Sequence, residues 1–320
     1  MQQLFDIIFT TSFAYSILRV STPLILAGMA ALVSERAGVA NIAIEGMMLI
    51  SALTGVVVSA KTQSCFLGVS VGVIAGILVS LILAYFILQL KANNIMCGLA
   101  INAIAKGGTV FVLYLLTGSK GASTALNSAT VPKIDIPLIK DIPILGEIIS
   151  GQSILTYLAI IMVALMHIFI FKTRMGIRIS AVGENEKAVD SVGISVAKTR
   201  YIALLISGFF SGLAGVFLSM SYMSGFTANM TSGRGFIALA ANSMGQNTPW
   251  GTLAAALIFG AADSAANYLQ VLAVPAQFIQ MIPYVTTILG ITLYCIYRGR
   301  KEKKLKMKML SHQEAEGQSA

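Results

Sequence analysis

Asn41 and Glu45 stand four residues apart in a stretch, residues 34–51, that is otherwise mostly apolar or small. That spacing puts both side chains on one face of a helix. An amide offers donors and acceptors, whereas an ionised carboxylate only accepts. Such a pair suits sugar hydroxyls or base amines, and it equally suits capping the free backbone groups of a broken helix. Charge at the centre of a membrane helix costs roughly 2.5–3.5 kcal/mol per residue on insertion scales, and residues carrying it mostly line a cavity or meet a partner. Asp263 and Asn267 repeat the spacing in a late apolar run. They form either a second polar face or hydrogen bonds across helices. Phe226 reads as an aromatic near the outer mouth, for stacking or for the interface.

Other chemistries are excluded. Lys61, Lys172 and Lys198 precede threonines, but none follows a glycine, so the chain has no phosphate-binding loop. Residues 233–238, Gly-Arg-Gly-Phe-Ile-Ala, match a dinucleotide fingerprint in letters only, with no strand before them. The two histidines, His167 in an apolar run and His312 in the tail, do not make a metal cluster, and His167 reads as a packed core residue. Cys65, Cys97 and Cys295 are isolated, so no disulfide framework follows. Catalysis by this chain is not expected.

The elements that must hold these residues are membrane helices. Apolar residues make up 56% of the 320 positions and charged residues 11%, against about 25% charged in soluble domains. Mean hydropathy is +0.82. The reading is an all-α polytopic membrane protein of about 8–10 transmembrane helices, at about 20 apolar residues per crossing. Candidate spans lie near 17–34, 39–60, 65–89, 95–117, 152–172, 200–222, 234–247, 250–273 and 277–297. Residues 4–18 are also apolar, so Pro23 would kink one longer first helix. Span 234–247 is too short to cross straight and reads as broken or re-entrant, which protein or a water-filled cavity must surround.

Basic residues fix the orientation. Arg36, Lys91, the group from Lys172 to Arg200 and the cluster from Arg298 to Lys308 fall on one side, assigned to the cytoplasm. Lys61, Lys120, Lys133, Lys140 and Arg234 fall on the other. The net charge of +9 is therefore a topology signal that meets lipid headgroups, with no nucleic acid as partner. The organisation expected is a transmembrane domain over 1–297, with an external loop at 118–151 and a cytoplasmic insert at 173–200. A basic and then disordered tail follows at 298–320. Gly68, Gly72 and Gly76, and Gly208 and Gly212, repeat every four residues, which lets helix backbones approach closely. Residues 38–46 and 233–241 echo each other weakly and fall on opposite faces, the pattern of an inverted repeat around a transport path.

The insert carries the second constellation. Gly183, Glu184, Asn185, Lys187, Ala188, Val189, Val192 and Gly193 outline a short helix, with acidic residues early and a glycine at its end. Ala188, Val189 and Val192 are read as one apolar face. A solvated loop is the plain alternative; docking into a groove on a partner is the favoured reading.

Three stretches, SERAGVANIAIEGMML from Ser34, AVGENEKAVDSVGI from Ala181 and TSGRGFIALAA from Thr231, resemble the permease subunits of bacterial ABC importers. The resemblance is to the branch for nucleosides and simple sugars, akin to ribose and branched-chain amino-acid permeases, and covers about residues 23–284. It implies that 183–193 is a coupling helix inserting into a cytoplasmic ABC ATPase. It implies that Arg36, Asn41, Glu45, Asn102 and Arg234 fall in or near the translocation path, with Asp263 beside them on the polar-face reading. It further implies a second permease subunit, an extracytoplasmic solute-binding protein and the bacterial cytoplasmic (inner) membrane, with the C-terminus cytoplasmic. No cofactor is expected on this chain; ATP and Mg belong to the partner subunit. One departure is Asn242-Ser-Met-Gly-Gln-Asn-Thr-Pro249, where members usually carry Phe-Gly-Arg and a Trp-Asn-Pro-like turn. An ion-gradient-driven transporter, with Glu45 and Asp263 carrying protons or sodium, is the alternative.

Overall fold

The computed structural model describes residues 10–135, 145–269, 285–290, 292 and 296. Six helices among them are long and apolar enough to cross a membrane. They are α1 (Thr11–Arg36), α2 (Ile44–Thr62), α3 (Cys65–Ala84, extended by a π turn over Tyr85–Gln89), α4 (Asn94–Thr117), α6 (Ile154–Lys172) and α9 (Val196–Phe217, extended by a π turn over Leu218–Tyr222). The shorter α5 (Leu145–Ile149), α7 (Arg174–Glu184), α8 (Glu186–Ser191) and α10 (Arg234–Met244) lie between and beside them, and α11 (Pro249–Leu269) closes the described bundle. The last expected span, 277–297, and the basic tail lie almost wholly outside the described residues.

Local chemistry sets most helix starts. Thr10, Ser64, Asn93, Ser153 and Ser195 each accept a hydrogen bond from a backbone N–H of the turn they precede, the usual way of satisfying the orphan donors there. Gly118 ends α4 at φ +69°, with its N–H on Tyr114 O. The first helix is continuous from Thr11 with Pro23 inside it.

The core is built around α1 and α9, each with 78% of its most apolar window buried, against 22% for α4. The glycine repeats act as expected. A Cβ at Gly68 would lie 2.7 Å from Ser59 Cβ, and one at Gly76 would lie 2.7 Å from Gly208 O and 2.8 Å from Gly212 Cα. Helix α3 is thus wedged between α2 and α9 at backbone distance. Phe66, Ile104, Phe111 and Leu115 of α3 and α4 remain exposed, a surface suited to lipid or to another membrane chain.

The loop after α4 covers one end of the bundle. Val131 N–H donates to Met220 O at 2.9 Å and Ser123 N–H to Phe226 O at 2.8 Å. Two short antiparallel strands, β1 (Lys133–Ile134) and β2 (Gln152–Ser153), pair Lys133 with Ser153 and Ile134 with Gln152. Phe226 is buried beneath this cover, only 1% exposed, which removes it from the candidates for stacking on a solute.

Candidate functional site

Helix α2 begins inside the bundle, with Ala43 and Ile44 fully buried. After Arg36 the chain turns at Gly38, φ +75°, and runs inward before becoming helical at Ile44. Ala43 supplies no side-chain cap; a neighbouring helix does. Asn102, eight residues or about 12 Å into α4, accepts from Gly46 N at 2.8 Å through Oδ1 and donates to Ile42 O at 2.9 Å through Nδ2. Asn41 folds on itself, its Oδ1 accepting from Ala43 N at 3.0 Å, and donates across to Ser207 Oγ of α9 at 2.8 Å. Both amides are thus committed to holding the break.

The second broken element meets the first here. Helix α10 has eleven residues, about 16 Å, half a bilayer core. It starts inside the bundle at Gly233, φ +78°, where no side chain of its own caps it. Glu45 fills that role. Its Oε1 accepts from Gly233 N and its Oε2 from Gly235 N, both at 2.7 Å, with the carboxylate 1% exposed. A Cβ at Gly235 would lie 2.7 Å from Glu45 N, so glycine is what allows the two starts to touch. The two weakly similar stretches, 38–46 and 233–241, are therefore in direct contact.

Arg234 and Asp263 form an ion pair at 3.1 Å, with 15% and 19% of their side chains exposed. Arg234 therefore lies within the bundle and counts toward neither face in the charge tally. Its guanidinium carbon lies 6.0 Å from the Tyr222 ring centre, and that of Arg19 lies 4.9 Å from the same centre. The structure brings Asn41, Glu45 and Asn102 together at one junction and joins Arg234 to it through Gly233, with Asp263 one step beyond. Ser207, Arg19 and Tyr222 were not singled out from sequence; Ser and Tyr in apolar runs carry no local sign of a long-range partner.

Arg36 lies elsewhere, at the basic end. It donates to Asn247 O at 2.9 Å and to Ser180 Oγ at 3.4 Å, and lies over the Phe171 ring. There the unusual segment 242–249 forms its own network. Asn242 Nδ2 donates to Glu35 Oε2 at 2.8 Å and to Asn247 Oδ1 at 2.6 Å, and Thr252 Oγ1 donates to Asn242 Oδ1 at 3.0 Å. His167, half-buried, packs beside Phe171 and the exposed Trp250.

The insert is two helices where one was expected. Glu184 closes α7, Asn185 turns in extended conformation and caps α8 by accepting from Ala188 N at 3.1 Å, and Gly193 follows at φ +79°. The expected apolar face is split: Val189 is buried at 7% exposure, whereas Val192 is 71% exposed and Ala188 and Lys187 also face outward. A six-residue helix has too few turns for periodicity to say which side is inside. The pair is seated on the end of α1. Gly183 packs so closely on Arg36 O that a Cβ would collide. Arg200 donates to Ala37 O at 3.2 Å and pairs with Glu186 at 2.8 Å.

Among known proteins, residues 13–296 match the model of the branched-chain amino acid transport system permease component family. The chain is 38% identical to the guanosine ABC transporter permease protein NupQ of Bacillus subtilis, over 91% of this chain and 92% of that one. It is 35% identical to a putative glucose ABC transporter permease protein, TsgC13, of Haloferax volcanii, over 76% and 73%. It is 33% identical to the nucleoside ABC transporter permease protein NupC of Lactococcus lactis, over 86% and 89%. No solved structure matches it. With its apolar crossing helices, its paired broken elements and these relatives, the chain belongs to the family of multi-pass permease components of ABC importers, in which ATP hydrolysis lies on a separate subunit.

Proposed function

We propose that this chain forms a membrane path for nucleosides in a bacterial importer, with ATP and Mg bound and hydrolysed on a partner ATPase. The observation that carries the solute class is the 38% identity, over nearly full length, to a guanosine permease protein. The cytoplasmic contact with the ATPase is the α7–α8 pair, with Ala188, Lys187 and Val192 outermost. Its seat on Arg36 and Ala37 ties any movement there to the start of the 37–43 break. A second permease subunit and an extracytoplasmic solute-binding protein complete the complex in the cytoplasmic membrane. The insert and the C-terminal tail face the cytoplasm.

Glu45 and Asp263 argue against an ion-coupled carrier. One carboxylate holds two backbone N–H groups and the other an arginine, so neither is free to shuttle protons or sodium. The test is uptake into vesicles holding the complex with its ATPase and binding protein. Guanosine uptake that needs ATP and survives an uncoupler is the expected result. Uptake by this chain alone, abolished by the uncoupler and indifferent to ATP, would refute the proposal.

A further inference from the structure

Five residues at the outer end of α1, Thr11, Ser12, Tyr15, Ser16 and Arg19, follow the spacing of one helical face over two turns. They line a cavity of about 460 Å³, walled also by Glu147 of α5 and Tyr268 of α11. That volume falls within the range of small-molecule sites, about 300–1,000 Å³. Part of the polar lining is already engaged. Thr11 Oγ1 donates to Glu147 Oε2 at 2.6 Å, and Tyr15 OH to Gly151 O at 2.8 Å. Ser12 and Ser16 make no hydrogen bond among the described residues, which leaves two hydroxyls facing the cavity.

The floor leads inward. Arg19 donates to Tyr222 O at 2.6 Å, and its guanidinium carbon lies over that ring, 4.9 Å from its centre. Arg234 approaches the same ring from the junction of broken helices. Three buried polar atoms close in the chain to Arg234 or to its partner Asp263 have no hydrogen-bond partner among the described residues: Arg234 Nε, Thr231 Oγ1 and Ser264 Oγ. Unpartnered buried groups cost about 1–3 kcal/mol each, and in a membrane interior they mark places that something polar visits. Arg19 thus links the cavity to Tyr222, whose ring lies 6.0 Å from Arg234, the residue after the Gly233 that Glu45 caps.

We propose that this cavity is the first station of the solute on this chain, and that it selects a nucleoside through Ser12, Ser16, Arg19 and Tyr268. This rests on the function proposed above. The two hydroxyls exchange hydrogen bonds with ribose hydroxyls. The guanidinium donates to ring carbonyl and nitrogen acceptors, and Tyr268, which meets Phe13 edge-on at 5.6 Å, lines the wall where a flat heterocycle would pack. A simple sugar satisfies the serines and leaves the aromatic and guanidinium planes unused.

The test uses the complete complex in vesicles, with Ser16→Cys and an impermeant maleimide added from outside; the wild-type chain gives the background of the native cysteines. Binding protein is present at equal concentration in every arm, and Thr62→Cys, outside the cavity, serves as the position that no solute should protect. Guanosine at about ten times its dissociation constant should slow labelling of Ser16→Cys about tenfold, and glucose should not. Equal protection by glucose would overturn the nucleoside class. Unchanged labelling in vesicles that do take up guanosine would overturn the site while leaving the proposed function standing. Absence of guanosine uptake by the wild type would overturn both. Should Ser16→Cys fail to assemble, Ser12→Cys, on the same face, is read in its place.

Discussion

Glu45→Gln separates a structural pin from a solute ligand. In the wild type the carboxylate holds Gly233 N–H and Gly235 N–H, each at 2.7 Å. Hydrogen bonds to a charged group contribute about 1.5–3 kcal/mol each. Glutamine keeps one acceptor oxygen and turns an NH2 group toward the other N–H, so one bond is lost and a donor faces a donor. The start of α10 should then open more easily by about 1.5–3 kcal/mol, roughly ten- to a hundredfold in its opening equilibrium. Glu45→Ala orphans both N–H groups and should cost about twice as much. Hydrogen exchange followed by mass spectrometry, on peptides spanning 231–240 in lipid nanodiscs, measures this directly. Faster exchange should be confined to the first turn of α10 in Glu45→Gln and spread through it in Glu45→Ala. If Glu45→Gln left that exchange unchanged and instead weakened solute protection or uptake, the capping argument would be wrong and the carboxylate would be a solute ligand.

Asn102→Ala removes an acceptor from Gly46 N and a donor from Ile42 O; it should loosen the start of α2 by about 2–4 kcal/mol, seen as faster exchange over 43–48 with α10 unaffected. Val192→Asp should abolish co-purification of the ATPase while leaving the thermal unfolding of the permease near wild type. Val189→Asp should lower that unfolding temperature, because it buries a charge within the chain's own fold. Gly76→Leu should block assembly of α3 against α9, since even a Cβ there would meet Gly208 O at 2.7 Å; loss of folded monomer in detergent is the readout. Glu186→Ala should change stability by less than about 1 kcal/mol, since its pair with Arg200 is half exposed.

Much of the framework was legible before the structure. Costly polar groups at Asn41 and Glu45, a span too short to cross at 234–247 and glycines at four-residue intervals each carry a physical signal in the local sequence. Their partners are not local: Asn41 meets Ser207 and Glu45 meets Gly233, 166 and 188 residues away. The balance between pin and solute contact therefore had no answer in spacing alone. It turned on which backbone N–H groups lay within reach. The polar face at Thr11–Arg19 was hidden differently. Serine, threonine and tyrosine lower the hydropathy of a run far less than charged residues do, so an apolar stretch with one wet face still reads as a span. The insert misled for want of length, and Val189 pointed inward.

The junction of the broken helices has a consequence for the membrane voltage. Helices α2 and α10 both start there, and each helix start carries roughly half a positive charge from its aligned peptides. Together with Arg234 these balance the two carboxylates of Glu45 and Asp263 almost completely. A rearrangement that moves the junction while the far ends of α2 and α10 stay in place carries almost no net charge through the field, whereas each uncompensated charge would cost about 2.3 kcal/mol per 100 mV. Transport of an uncharged solute should therefore run at the same rate in vesicles clamped at zero and at strongly negative potential. A permease built this way keeps working when the cell's ion gradients collapse, for as long as ATP remains.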